Sequence, residues 1–156
     1  VWGGGIIVLL SERDKADIKR RLKKEMKANV TISLFTTTPS VLAIPGRECP
    51  TCPETQKLLQ DLAGLSPKLD LKQYDFFSET EERDRYGVER VPAIVLEAPA
   101  GSLLRYYGIP AGYEFAMFLE GINSISRGVS PLALDTRKKL RKVNHPVHIQ
   151  VFVTPS

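Results

Sequence analysis

The sequence predicts an α/β fold in which one mixed central sheet carries helices on both faces. Three observations predict it. Strand-like and helix-like periodicities alternate in the order β-α-β-α-β-β-α, after an added N-terminal helix. A helix separates the first two strands, so they should be parallel. The last two strands are joined by the short connection Pro99-Ala100-Gly101-Ser102, so they form an antiparallel hairpin. The composition fits one globular domain of average size: of 156 residues, 42% are hydrophobic and 26% charged. These values exclude a disordered or collagen-like chain.

Each element has a local cause. Ser11-Glu12-Arg13-Asp14 reads as a helix start with Ser11 as N-cap and Asp14 as an acidic N3. Ile18, Leu22 and Met26 then recur on one helical face. Val30 to Thr36 is a strand, with Val30, Ile32 and Leu34 on one side and Phe35 on the other. Pro39, Pro45 and Gly46 make Thr37 to Glu48 a loop, unusually apolar at Val41 to Ile44. A helix runs from Pro50 to Leu65, with Leu58, Leu59, Leu62 and Leu65 on its buried face. Pro50 and Pro53 fall in its first turn, where a missing N–H does little harm. Leu69 to Phe76 alternates as a strand, and Glu79 to Tyr86 is a short charged helix closed by Gly87. Val91 to Glu97 and Leu103 to Tyr107 are the hairpin strands. Pro110 opens the last helix of the unit, which carries Phe115, Phe118, Leu119, Ile122 and Ile125 and ends at Gly128.

A surplus remains. Leu132 to Val143 reads as a helix and Val147 to Val153 as a strand. Val147, Ile149, Val151 and Phe152 echo Val30, Ile32, Leu34 and Phe35, and a Thr-Pro-Ser follows each strand. The expected division is therefore residues 1–10 as an extension, 11–128 as one complete unit, and 129–156 as the start of a second copy that is cut short. The longest apolar run, Ile6 to Leu10, is far below the ~20 residues that span a bilayer. The N-terminus has no basic segment before its apolar stretch and makes a poor signal peptide, so a cytoplasmic location is the expectation. The net charge of 22 − 18 = +4 is mild and does not demand nucleic acid.

The informative constellation is Cys49-Pro50-Thr51-Cys52, which follows a strand and opens a helix within a β-α-β unit. A disulfide between these cysteines closes so small a ring that it would constrain the unfolded chain by only about 2 kcal/mol. Its interest is chemical. Cys49 is expected at or near the helix N-cap, where free N–H groups and the helix dipole favour a thiolate. Cysteines in such places have pKa values of roughly 3.5–7.5. Arg47 adds a positive charge nearby. Cys52, one turn later and more buried, is placed to resolve a mixed disulfide, and Pro50 stiffens the turn between them. Val91-Pro92 stands at the start of the third strand. If it is cis, it forms a tight bend beside the cysteines, and Val91 could offer its backbone to an extended peptide.

Together these residues resemble the thioredoxin superfamily, and more closely the glutaredoxin-like protein disulfide oxidoreductases of archaea and thermophilic bacteria. The resemblance runs from Leu10 to Ser156. It rests on Cys49–Cys52, Val91-Pro92-Ala93, the stretch from Tyr107 to Phe115, and Val151 to Pro155. It implies a thioredoxin-like fold, dithiol–disulfide exchange by Cys49 and Cys52, and a substrate face shaped by Pro50, Thr51, Val91 and cis Pro92. Protein or peptide disulfides would be the substrates and a reductase the electron donor, with no cofactor. Family members carry two units, each with its own C-x-x-C; this sequence stops where the second pair would begin. The Thr37–Glu48 loop is also longer than the family's usual connection.

Blander readings stand beside these. Cys49 and Cys52 could be inert thiols or half a zinc site. Zinc would need four ligands, and His145 and His148, more than ninety residues away, are its other candidates. Neither metal nor membrane is expected. The basic runs Arg13 to Lys27 and Arg137 to Lys142 read as solvated helix faces. The aromatics Phe76, Phe77, Tyr106, Tyr107, Tyr113, Phe115 and Phe118 read as core. Two other functions fit the sequence: a redox-responsive binding module docking a partner through the Thr37–Glu48 loop without turnover, and a structural remnant dimerising through the terminal strand.

Overall fold

The computed structural model describes residues 10–38 and 44–147. The elements are α1 (Glu12–Glu25), β1 (Val30–Thr36), α2 (Cys52–Ala63), β2 (Leu69–Asp75), α3 (Thr80–Tyr86), β3 (Ala93–Glu97), β4 (Leu103–Tyr107), α4 (Tyr113–Arg127) and α5 (Leu134–Leu140). The four strands form one mixed sheet in the order β2-β1-β3-β4. β1 runs parallel to β2 and antiparallel to β3, and β3 and β4 are an antiparallel hairpin. This is the mixed α/β sheet that the sequence predicts.

The period-2 alternation of β1 sends its side chains to two different cores. Val30, Ile32 and Leu34 enter an aliphatic core with Ile18 and Leu22 of α1, Leu59 and Leu62 of α2, Ile94 and Leu96 of β3, and the buried face of α4. Phe35 enters a smaller core on the opposite side with Tyr86 of α3, Val88, Ala93 and Val95. In that core Phe35 stacks on Tyr74 at 5.2 Å between centroids and meets Tyr86 edge-on at 6.0 Å, both within the favourable range for aromatic pairs. Thus α1, α2 and α4 cover one face and α3 the other.

Local chemistry sets the boundaries. Ser11 and Asp14 form a reciprocal capping box that starts α1. Gly87 and Gly128 end α3 and α4 with φ of 60° and 65°, the left-handed conformation that glycine adopts without steric cost. Across the outside of α1 and α4, Arg21, Glu25, Glu120 and Arg127 close a ring of alternating charge. Glu120 accepts from Arg21 and from Arg127, each at 2.6 Å. Glu25 accepts from Arg21 at 3.0 Å and lies 3.7 Å from Arg127.

Several elements differ from the sequence reading. The helix placed from Pro50 begins at Cys52, because Cys49 to Cys52 is a separate turn closed by the Cys52 N–H donating to the Cys49 carbonyl at 3.2 Å. Pro53 keeps its place in the first turn; Pro50 lies outside the helix. Leu65 is half-buried, while Leu58, Leu59 and Leu62 are fully buried. α4 starts at Tyr113 rather than at Pro110, since Gly112 at φ 59° breaks the helical path. Tyr113, read as core, is 92% exposed. It is nine residues before buried Ile122, about 180° around a helix of 3.6 residues per turn. The helix expected over Leu132 to Val143 is shorter, Leu134–Leu140, and buries none of its residues. The expected strand Val147 to Val153 lies outside the described residues beyond Val147, as does His148. So does the greater part of the apolar stretch Val41 to Ile44. Among the described residues no helix is long and apolar enough to cross a membrane.

Candidate functional site

The sheet geometry brings the two sequence-predicted elements to one edge of the fold. β1 ends at Thr36, and the chain then leads to Cys49 and α2. On the neighbouring strand Ala93 pairs with Phe35, so Pro92 lies level with the end of β1. Cys49 and Cys52 are joined by a disulfide, with their Cα atoms 5.4 Å apart. Their environments are unequal. Cys49 is half-buried, whereas Cys52, the first residue of α2, is 1% exposed. Pro50 and Thr51 between them are exposed.

Thr51 is the N-cap of α2, so Cys49 lies two residues outside the cap rather than on it. The Thr51 side chain does not cap the helix. Its carbonyl instead accepts from the Thr55 hydroxyl at 2.7 Å, and Thr55 is itself fully buried. The Cys49 side chain thus belongs to the turn ahead of the helix dipole's positive end, and the Cys52 side chain is held beneath it.

The Val91–Pro92 peptide is cis. Pro92 is buried and Val91 half-buried. The Pro92 carbonyl accepts from Gly108 N–H at 2.9 Å, which ties the bend to the end of β4. The backbone of Val91 takes part in none of the turn and loop hydrogen bonds among the described residues.

Sequence reasoning missed a polar cluster at the same edge. Asp75, the last residue of β2, pairs in register with Thr36. One of its carboxylate oxygens accepts from both the N–H and the hydroxyl of Thr38, each at 2.7 Å. The other accepts from Phe77 N–H at 3.0 Å and from the N–H and hydroxyl of Ser78, each at 2.9 Å. Burial alone would raise the Asp75 pKa; the hydrogen bonds from Thr38 and Ser78 outweigh it and hold the carboxyl well below the usual carboxylate range. Phe77 carries the Arg47 guanidinium over its ring, 4.5 Å from the centroid. The signal was half present. An Asp closing a strand with Ser three residues on is a turn-forming pattern, but nothing local connects it to Thr38.

His145 is exposed. Among the described residues no group of three or more His, Cys, Asp or Glu side chains could hold a metal ion.

No protein-family model matches this chain, and no curated protein matches it at a significant level. Solved structures do. The chain is similar to a protein disulfide oxidoreductase from Aeropyrum pernix K1, with TM-score 0.70 and 27% identity over 86% of this chain and 56% of that one. It is also similar to the N-terminal domain of the alkylhydroperoxide reductase AhpF from Enterococcus faecalis, with TM-score 0.69 and 21% identity over 85% of this chain and 60% of that one. It therefore spans less than two thirds of either neighbour's length. The mixed sheet, the helix order and the cysteine pair at the start of the second helix identify the fold as that of the thioredoxin superfamily, with Cys49–Cys52 as its C-x-x-C pair.

Proposed function

We propose that this chain is a thiol–disulfide oxidoreductase acting on protein or peptide disulfides. The observation that carries the reading is the asymmetry of the bonded pair: Cys49 is accessible at the edge of the fold, and Cys52 is buried behind it. In the reduced protein the Cys49 thiolate attacks one sulfur of a substrate disulfide. That bond breaks, a mixed disulfide forms, and the first substrate sulfur leaves as a thiolate that takes up a proton. The Cys52 thiolate then attacks Cys49 Sγ, the Cys49–Cys52 bond forms, and the second substrate thiol departs. The substrate gains two electrons and the chain loses two; a reductase returns them. Pro50 and Thr51 border the entry, and cis Pro92 bounds the substrate face. Among the described residues the Val91 backbone enters no turn or loop hydrogen bond, which suits an added peptide strand. No cofactor has a part in these steps.

The proposed setting is the cytoplasm, where disulfide enzymes work against a reducing pool. We also read residues 129–156 as the opening of a second unit, on the strength of the repeated strand and Thr-Pro-Ser pattern.

The test is alkylation of the reduced protein against pH, with the modified cysteine identified by mass spectrometry, followed by turnover of a peptide disulfide. Cys49 is expected to react with an apparent pKa well below the ~8.5 of a free thiol, with Cys52 protected. Cys52→Ser should accumulate a mixed disulfide at Cys49, and Cys49→Ser should abolish turnover. Equal, slow alkylation of both cysteines, or turnover by Cys49→Ser, would overturn the reading.

A further inference from the structure

The chain reaches Cys49 through a long connection, and both ends of that connection rest on the same short turn. Its first end is Thr38, whose N–H and hydroxyl both donate to one oxygen of Asp75 at 2.7 Å. Its second end is Arg47, two residues before Cys49, whose guanidinium lies 4.5 Å from the centre of the Phe77 ring. The Phe77 backbone in turn donates to the other oxygen of Asp75 at 3.0 Å, and Ser78 adds two more bonds at 2.9 Å. The Asp75 N–H is itself held by Glu79 Oε2 at 2.6 Å, and Phe76 packs edge-on against Phe77 at 5.1 Å. One carboxylate thus receives five hydrogen bonds, two from the connection and three from the turn that presents the ring.

We infer that Asp75 is a positioning residue for Cys49: it clamps Thr38 directly and holds Arg47 through Phe77, fixing the approach of the chain to the reactive sulfur and the place of the positive charge two residues before it. Charge-assisted bonds of this kind are stronger than neutral ones, and a carboxylate taking five of them has little freedom to move. Two residues of extended chain span at most about 7 Å, so the Arg47 backbone lies within that reach of Cys49 while its guanidinium is held on Phe77. The ring occupies the guanidinium's face and brings no counter-charge to it. Among the described residues Arg47 forms no ion pair, and the neighbouring Glu48 is exposed and forms none either. The hydrogen bonds that hold Asp75 well below the usual carboxylate range keep it ionised at neutral pH, so the clamp is intact where exchange would run.

The inference deepens the proposed exchange, yet its readout exists whether or not the protein turns over a disulfide. The rate of Cys49 alkylation by iodoacetamide is measured against pH on reduced wild type, Asp75→Asn, Phe77→Leu, Arg47→Gln and the pair Asp75→Asn/Arg47→Gln. Thermal melting of each is followed in parallel. Losing the held charge should raise the apparent pKa of Cys49 by roughly half a unit, about threefold less thiolate well below that pKa. Phe77→Leu should reproduce that shift without touching Asp75, which keeps the test open if Asp75→Asn folds poorly. The double variant should show no further shift than Arg47→Gln alone. A lowered melting temperature with an unmoved Cys49 profile in Asp75→Asn and Phe77→Leu would make Asp75 a turn cap only and overturn the inference. A shift in Arg47→Gln that Phe77→Leu fails to reproduce would overturn it as well. If the shifts occur while no peptide disulfide is turned over, the clamp stands and the proposed exchange falls.

Discussion

Two helices of this protein are written in nearly the same alphabet. α1 is rich in Lys and Arg with Ile18 and Leu22 spaced a turn apart, and α5 is a run of Arg137, Lys138 and Lys139 between Leu134 and Leu140. Their fates differ. α1 begins in a capping box, buries Ile18 and Leu22 against the sheet and α4, and is laced to α4 by the ring of Arg21, Glu25, Glu120 and Arg127. α5 has Ala133 at its N-cap, no side-chain cap and no buried residue; Leu134 is 62% exposed and Leu140 53%. Periodicity states which face of a helix would profit from cover. Whether cover arrives depends on the rest of the chain.

Truncating the matching leucines should separate the two helices most. Leu22→Ala removes a side chain 1% exposed and is expected to cost about 3 kcal/mol, while Leu140→Ala should stay within about 0.5 kcal/mol. Urea unfolding followed by circular dichroism checks both, and equal costs would mean that α5 is packed as α1 is. Next comes the cap. Ser11→Ala leaves the Asp14 N–H without its 3.1 Å partner and should cost about 1 kcal/mol by the same measurement, with no counterpart at Ala133. The smallest effect is at the charge ring. Glu120→Gln weakens two bonds between half-exposed partners, so its cost should be below about 1 kcal/mol at low salt and vanish near 1 M salt. A salt-independent loss would assign Glu120 a packing role instead.

What could be read from the sequence was what is written locally. The limits of β1 and β4, the Ser11 cap and the Gly87 and Gly128 stops follow from residues within a few positions of one another. The cysteine pair was legible for the same reason, since the motif and its strand-then-helix setting are contiguous. The errors arose where neighbours in space settle the matter. Pro50 looked helical because prolines suit a first turn, but the Cys49–Cys52 turn precedes the helix. Tyr113 looked like core because it is aromatic, yet its angle around α4 points it to solvent. Asp75 and Thr38 are 37 positions apart, and Arg21 and Glu120 are 99 apart. No local pattern announces such pairs; only the strand order that folds the chain back on itself creates them.

That strand order, β2-β1-β3-β4, also sets a timetable for synthesis. β1 is made first and lies between two strands made later, Leu69–Asp75 and Ala93–Glu97. A ribosome adding about 5–20 residues per second needs several seconds to deliver the second of them. Until then Val30, Ile32 and Leu34, each wholly hidden in the finished protein, travel on a nascent strand with an unfilled edge. The central element of the fold is therefore its most vulnerable one during translation, and a natural resting place for a chaperone.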